Sequence, residues 1–130
     1  MIGIEVRKRM YTELLAKTNI LKDLCNQSLQ RLEEVKKRES YEADFYKEVK
    51  PFVDDTMTIA DRWRDLAIEW IKKEFPKNLH SNQIDATHEN IQHISIQSFY
   101  QDTKVKRFKN MYESIQYVLE NILEKVITPK

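Results

Sequence analysis

Apolar and small residues recur along most of the chain in alternating steps of four and three. Leu14, Thr18, Leu21, Cys25, Ser28, Leu32 and Val35 form one such seam; Met10 extends it, and Leu24 and Leu29 widen it. At about 100° per residue this stepping keeps one helical face apolar, and it predicts a single helix over about residues 4–38. Lys36, Lys37 and Arg38 close that helix, where the macrodipole favours cations. Ser40 is placed to cap a second helix, about residues 41–75, with Glu42 and Asp44 in its first turn. Its seam is Phe45, Val49, Phe52, Thr56, Ile59, Trp63, Leu66 and Trp70. Pro51 removes a donor and clashes one turn back, so this helix is expected to be kinked or broken near Pro51. Pro76 ends it.

Ser81 caps a third helix, about residues 82–101, with the seam Ile84, Thr87, Ile91, Ile94 and Ser98. Asp102 or Thr103 opens a fourth, about residues 103–127, with the seam Phe108, Met111, Ile115, Val118, Ile122 and Val126. Short turns make sequential helices antiparallel neighbours. The expected fold is therefore all-α, an up-down-up-down antiparallel four-helix bundle, with residues 1–130 as one domain.

Composition narrows the function. The single Gly excludes a P-loop, a dinucleotide fingerprint and a nucleophile elbow, all of which need several. A net charge of +1 argues against a dedicated nucleic-acid binder. The lone Cys25 has no disulfide partner within the chain, and no apolar run approaches the roughly 18 residues of a membrane span. Glu5 and Arg7-Lys8-Arg9 interrupt the N-terminus before a signal sequence develops, so the expected setting is cytoplasmic and away from membranes.

The second helix carries more apolar surface than one seam requires. With Trp63 at zero, Tyr46, Val53, Met57, Ile68, Ile71 and Phe75 fall at about 80° to 140°, which widens the apolar arc to about 200°. One reading has an overhang fold back around Pro51 and bury this stripe; the other makes it a docking face for a partner or a second copy. Met57, Trp63, Ile68, Ile71 and Phe75 are the candidate interaction face.

Lys50-Pro51, Ala60, Arg62-Trp63, Pro76-Lys77, His80, Gln83-Ile84, Ala86, Asn90, Gln97-Ser98 and Lys106-Arg107-Phe108 together resemble the YppE-like family of small helical-bundle proteins from Bacillus-type bacteria. The resemblance covers roughly residues 40–120. It implies a cytosolic bacterial bundle. The family has no assigned activity, so the resemblance transfers no catalytic residue.

Chemistry-bearing groupings are sparse. In His88-Glu89-Asn90-Ile91-Gln92-His93 the two histidines are five apart, about 140° around a helix, and poorly placed to share an ion. Asp85 with His88, and Glu89 with His93, read as helix-surface pairs, so no metal or other cofactor is expected. Cys25 lies on a seam with no His on its helix, and the pairs Glu33-Glu34 and Asp54-Asp55 splay about 100° apart. No catalytic residue is assigned. His80 is a candidate for locking the turn after the second helix or for facing a ligand.

Antiparallel topology brings Lys36, Lys37 and Arg38 toward Lys104, Lys106, Arg107 and Lys109. The latter four oppose the dipole at the start of the fourth helix, which makes them a candidate anion-binding cluster. The bland reading is that Glu39, Glu42, Asp44 and Glu48 neutralise it. The sequence thus points to a non-enzymatic protein-interaction module that works with a protein partner or by self-association. The alternative is a binder of a small phosphorylated or anionic ligand, as an enzyme or otherwise, and nucleic-acid binding ranks below both.

Overall fold

A computed structural model describes residues 3–128 of the chain. The described residues form five α-helices and no strand: α1 (Ile4–Met10), α2 (Thr12–Lys37), α3 (Lys50–Glu74), α4 (Ser81–Gln97) and α5 (Val105–Ile127), with a π-helical turn at Phe45–Val49. Each of α2 and α4 packs against both α3 and α5, and α1 lies on α5 and α2.

The expected first helix is divided. Tyr11, at φ −117° and ψ 28°, ends α1 and begins α2. The cause lies outside local sequence: Arg7 Nη1 and Tyr11 Oη both reach Glu74 on α3, at 3.1 and 2.7 Å. Met10, expected on the seam, is consequently exposed. Beyond the break, the seven predicted seam residues from Leu14 to Val35 are all buried.

Pro51 acts as anticipated, with a more specific geometry. The chain makes a π-turn in which the Lys50 N–H bonds the Phe45 carbonyl, and α3 starts with Pro51 in its first turn. The wider turn carries the backbone past the clash between the proline ring and the carbonyl one turn back. Asp44, rather than Ser40, is the cap. Its Oδ1 accepts the Lys47 N–H at 3.0 Å, while Glu48 Oε2 accepts the Asp44 N–H at 2.7 Å.

The buried face of α3 comprises Thr56, Ala60, Trp63, Ala67, Trp70 and Ile71. It is rotated from the predicted seam toward Ala60 and Ala67, leaving Ile59 and Leu66 half-buried at its edge. Because α3 has α2 on one side and α4 on the other, a wide apolar arc is what two neighbours require. This corrects the candidate interaction face. Trp63 is fully buried and Ile71 is buried, Met57 and Ile68 are half-buried against the core, and Phe75 is the exposed member. Phe75 sits at the α3 C-cap in the left-handed region, φ 50° and ψ 54°, immediately before Pro76.

α4 buries Ile84, Thr87, Ile91 and Ile94 as predicted, with Ser95 added. α5 buries Phe108, Ile115, Val118, Leu119, Ile122 and Val126. Removing these side chains from water is the main stabilising term, at roughly 1.5–3 kcal/mol for each large aliphatic group. Among the described residues no helix is long and apolar enough to cross a membrane.

Candidate functional site

The C-terminus of α2, the π-turn and the α4–α5 turn meet at one end of the molecule. Helix ends leave carbonyls unsatisfied. Here the Gln101 side-chain amide donates to the carbonyls of Val35 and Arg38 at 3.1 and 2.9 Å. Lys36 Nζ answers by donating to the Gln101 carbonyl. The loop is locked internally by Thr103 Oγ1, which donates to the Gln97 carbonyl at 2.7 Å.

These bonds hold the end of α2, with Lys36, Lys37 and Arg38, against the α4–α5 turn that leads into α5. Lys104, Lys106, Arg107 and Lys109 are exposed there. None of the four enters an ion pair among the described residues. Lys104 and Arg107 flank a depression of about 250 Å³ that also includes Thr103 and Asp102; Lys106 and Lys109 lie outside it. Two of the four acidic residues expected to neutralise this cluster are occupied elsewhere. Asp44 and Glu48 serve the π-turn, and Glu48 Oε1 also accepts the Tyr41 hydroxyl at 2.9 Å. Glu39 and Glu42 pair with none of the cluster.

A residue that sequence reasoning missed stands beside this cluster. The Arg31 guanidinium carbon lies 4.1 Å from the ring centroids of both Phe52 and Phe99. Those centroids are 5.8 Å apart and the ring planes are inclined at 70°, so the rings form a corner around the cation. Its Nη1 donates to the buried Ser98 hydroxyl at 3.0 Å. No carboxylate lies within ion-pair distance of Arg31 among the described residues. Desolvation draws its pKa below the ordinary arginine value, against smaller opposing effects of Tyr41 and Glu48. The exposed side of Arg31 opens on a polar groove of about 440 Å³ shared with Gln27, Gln30, Arg38, Tyr41 and Glu48. Arg38 is stacked on Tyr41 at 4.9 Å. In sequence Arg31 is one of many charged residues beside a seam; its aromatic corner is assembled from positions 52 and 99.

His80 lies at the other end, one α4 length away, roughly 25 Å. His80 is the N-cap residue of α4. Gln83 Oε1 accepts the His80 backbone N–H at 2.7 Å, and Lys125 Nζ donates to the Lys77 carbonyl. The His80 side chain is exposed. Nearby, Arg7, Trp70, Pro76, Lys77 and Lys125 line a cavity of about 310 Å³. The Tyr11 hydroxyl beside Arg7 is pushed up to about 12, first by desolvation and then by its bond to Glu74.

The remaining histidines lie against carboxylates. His88 Nε2 meets Asp61 on α3 at 2.7 Å, while its expected partner Asp85 pairs instead with Arg64 at 2.8 Å. His93 pairs with Glu89 at 3.7 Å. Among the described residues no three His, Cys, Asp or Glu side chains converge as a metal site would require. Burial pushes the Cys25 thiol up to about 12, far from a thiolate nucleophile at neutral pH.

The bacterial domain of unknown function DUF1798 matches residues 18–126, from the α2 seam to the end of the α5 seam. The chain belongs to this family. It is 31% identical over 113 residues to the uncharacterised protein YppE of Bacillus subtilis strain 168, covering 87% of this chain and 91% of that protein. The YppE crystal structure superposes with a TM-score of 0.82. A crystal structure of a Listeria innocua protein of unknown function, 30% identical, has a TM-score of 0.83 and covers 88% of this chain and 91% of that one. A Staphylococcus aureus DUF1798 structure, 27% identical, gives 0.78 and covers 87% and 95% of the two chains. The match includes Arg31, Phe52, Phe99 and the α5 cations; Arg7 lies before it.

Proposed function

We propose that this chain is a non-enzymatic protein-interaction module whose docking surface is its basic end, and that its partner presents carboxylates there. The observation that carries this reading is Arg31, fixed in the corner of Phe52 and Phe99 with no carboxylate within ion-pair distance among the described residues. A long cationic side chain held in place has already lost the rotamer freedom that binding would otherwise cost. Partial desolvation strengthens its attraction for an incoming anion, and arginine is over-represented among the residues that dominate interfaces. Lys104, Lys106, Arg107 and Lys109, exposed at the same end of the molecule, add positive charge that steers a negatively charged surface.

Two further parts of this reading concern setting and architecture. The packing order α2–α3–α4–α5 and back to α2 supports an up-down-up-down four-helix bundle, with α1 as an appended turn. A free, buried Cys25 suits a reducing cytoplasm.

Photo-cross-linking in the native host tests the proposal. A photoreactive amino acid is placed at Lys106 and, as a control, at the exposed Tyr117. The expected result is one dominant protein adduct from position 106, absent from position 117 and lost when Arg31→Met is added to a chain whose helical circular dichroism is unchanged. Equal adducts from both positions, or an adduct indifferent to Arg31→Met, would overturn it. Absence of a protein adduct, together with a phosphorylated metabolite co-purifying with the wild-type chain alone, would move the reading to a small anionic ligand.

A further inference from the structure

The Arg31 groove holds a carboxylate of its own that does not pair with Arg31. Glu48 lines the same groove of about 440 Å³ and is near enough to act on Arg31 electrostatically. It nevertheless lies outside ion-pair distance of Arg31, as does every carboxylate among the described residues. Guanidinium and carboxylate form charge-assisted hydrogen bonds, roughly twice as strong as neutral ones. Two such groups in one partly desolvated groove stay apart where other donors hold one of them.

Both oxygens of Glu48 are held. Its Oε1 accepts the Tyr41 hydroxyl at 2.9 Å, and its Oε2 accepts the Asp44 N–H at 2.7 Å. Asp44 is the N-cap of the π-turn, so that amide is placed by the backbone. The hydroxyl is placed by a side chain. Tyr41 stands half-buried in the non-helical stretch between α2 and the π-turn, with Arg38 stacked on its ring at 4.9 Å. Desolvation, and then the bond to Glu48, raise its pKa above the ordinary tyrosine value, against opposing effects of Arg38 and Arg31. The hydroxyl therefore remains a donor at neutral pH. Arg31 is held by different groups, Phe52, Phe99 and Ser98. Whether the two charges meet is thus decided on the side of Glu48.

We propose that Tyr41 is the positioning residue of this site: its hydroxyl holds Glu48 off Arg31 and so keeps the guanidinium available to a partner's carboxylate. This role rests on the basic end being a docking surface. Without the hydroxyl, Glu48 Oε1 loses its donor, and the fixed guanidinium in the same groove replaces it. An internal carboxylate competes at high effective concentration, because it needs no association step. Where it occupies Arg31 about nine-tenths of the time, apparent affinity for the partner falls about tenfold.

The experiment follows the Arg31 Nε–H resonance in 15N-labelled full-length chains, with Arg31→Met identifying that resonance by deleting it. Tyr41→Phe, Glu48→Gln and the two changes together are compared with the unsubstituted chain. Tyr41→Phe retains the ring on which Arg38 stacks. The expected result is a shift of the Arg31 resonance in Tyr41→Phe, and its return in the double variant to the position seen with Glu48→Gln alone. No shift in Tyr41→Phe would overturn the proposal, since Glu48 then turns elsewhere. A shift of equal size with Glu48→Gln added would also overturn it, since the ring has then repacked.

In the same variants the cross-linked adduct from position 106 should fall about tenfold with Tyr41→Phe and recover when Glu48→Gln is added. The two readings fail separately. An Arg31 resonance that behaves as expected beside an adduct that never changes overturns the docking surface and leaves the Tyr41–Glu48 latch standing. A resonance that never moves beside an adduct that Arg31→Met abolishes overturns the latch and leaves the docking surface standing.

Discussion

The Trp63 indole donates to Thr18 Oγ1 at 3.1 Å across the α2–α3 interface, and that hydroxyl in turn donates to the Leu14 carbonyl at 2.7 Å. Both side chains are fully buried. Thr18→Val keeps the shape and removes the acceptor, leaving the indole N–H unpaired. The expected loss is about 1–3 kcal/mol, read from the urea midpoint at unchanged slope. Thr18→Ser, which retains the hydroxyl, should lose less. If Val and Ser prove equally stable, the bond contributes nothing and the site is simple packing.

Thr18 and Trp63 were both legible as seam positions because helical stepping is a local property. The same is true of Leu14 to Val35 on α2 and of Ile84 to Ile94 on α4. What was not legible depends on distant positions. The Tyr11 break is imposed by Glu74, 63 positions away, and the Arg31 corner by Phe52 and Phe99. The stripe from Met57 to Phe75 resembled an unpartnered face because its second neighbour, α4, is invisible from α3 alone. The cations at the start of α5 were legible as unusual, and the structure adds that Asp44 and Glu48 serve the π-turn.

Ala60 and Ala67 stand outside the predicted seam, yet both are fully buried on the face that α3 turns inward. Their size sets how closely a neighbouring helix approaches. Ala67→Leu should cost about 1–3 kcal/mol by overpacking. The same change at Ala86, an exposed position on α4, should be nearly neutral. Matching urea midpoints for the two variants would mean that the interface yields freely at Ala67.

Glu13 on α2 receives Arg62 Nε and Nη2 of α3 at 3.0 and 2.8 Å. The Arg62 bond, ahead of the Lys17 bond and against a smaller desolvation effect, lowers its carboxyl from 4.5 to about 2. A group whose pKa is depressed by folding stabilises the native state above its unfolded value, and that contribution fades as pH falls through the folded value. The chain should therefore melt above Glu13→Gln at neutral pH, with the gap closing between about pH 4.5 and 2. The pair is exposed, so the gap should also narrow in high salt. A gap independent of pH would assign the difference to packing of the side chain.

Asn78 adopts φ 61° in the turn between α3 and α4, where the chain has no glycine. The left-handed region costs a residue with a Cβ roughly 1–2 kcal/mol, a cost that asparagine lessens through local hydrogen bonding and glycine avoids. Asn78→Ala should therefore lower the melting temperature by several degrees, while Asn78→Gly should leave it unchanged or raise it. The same turn holds Pro76 and Lys77 at the cavity wall, and the Lys77 carbonyl is tied to Lys125. If Ala and Gly give the same melting temperature, the turn in solution does not hold residue 78 left-handed, and the cavity wall built on it has another shape.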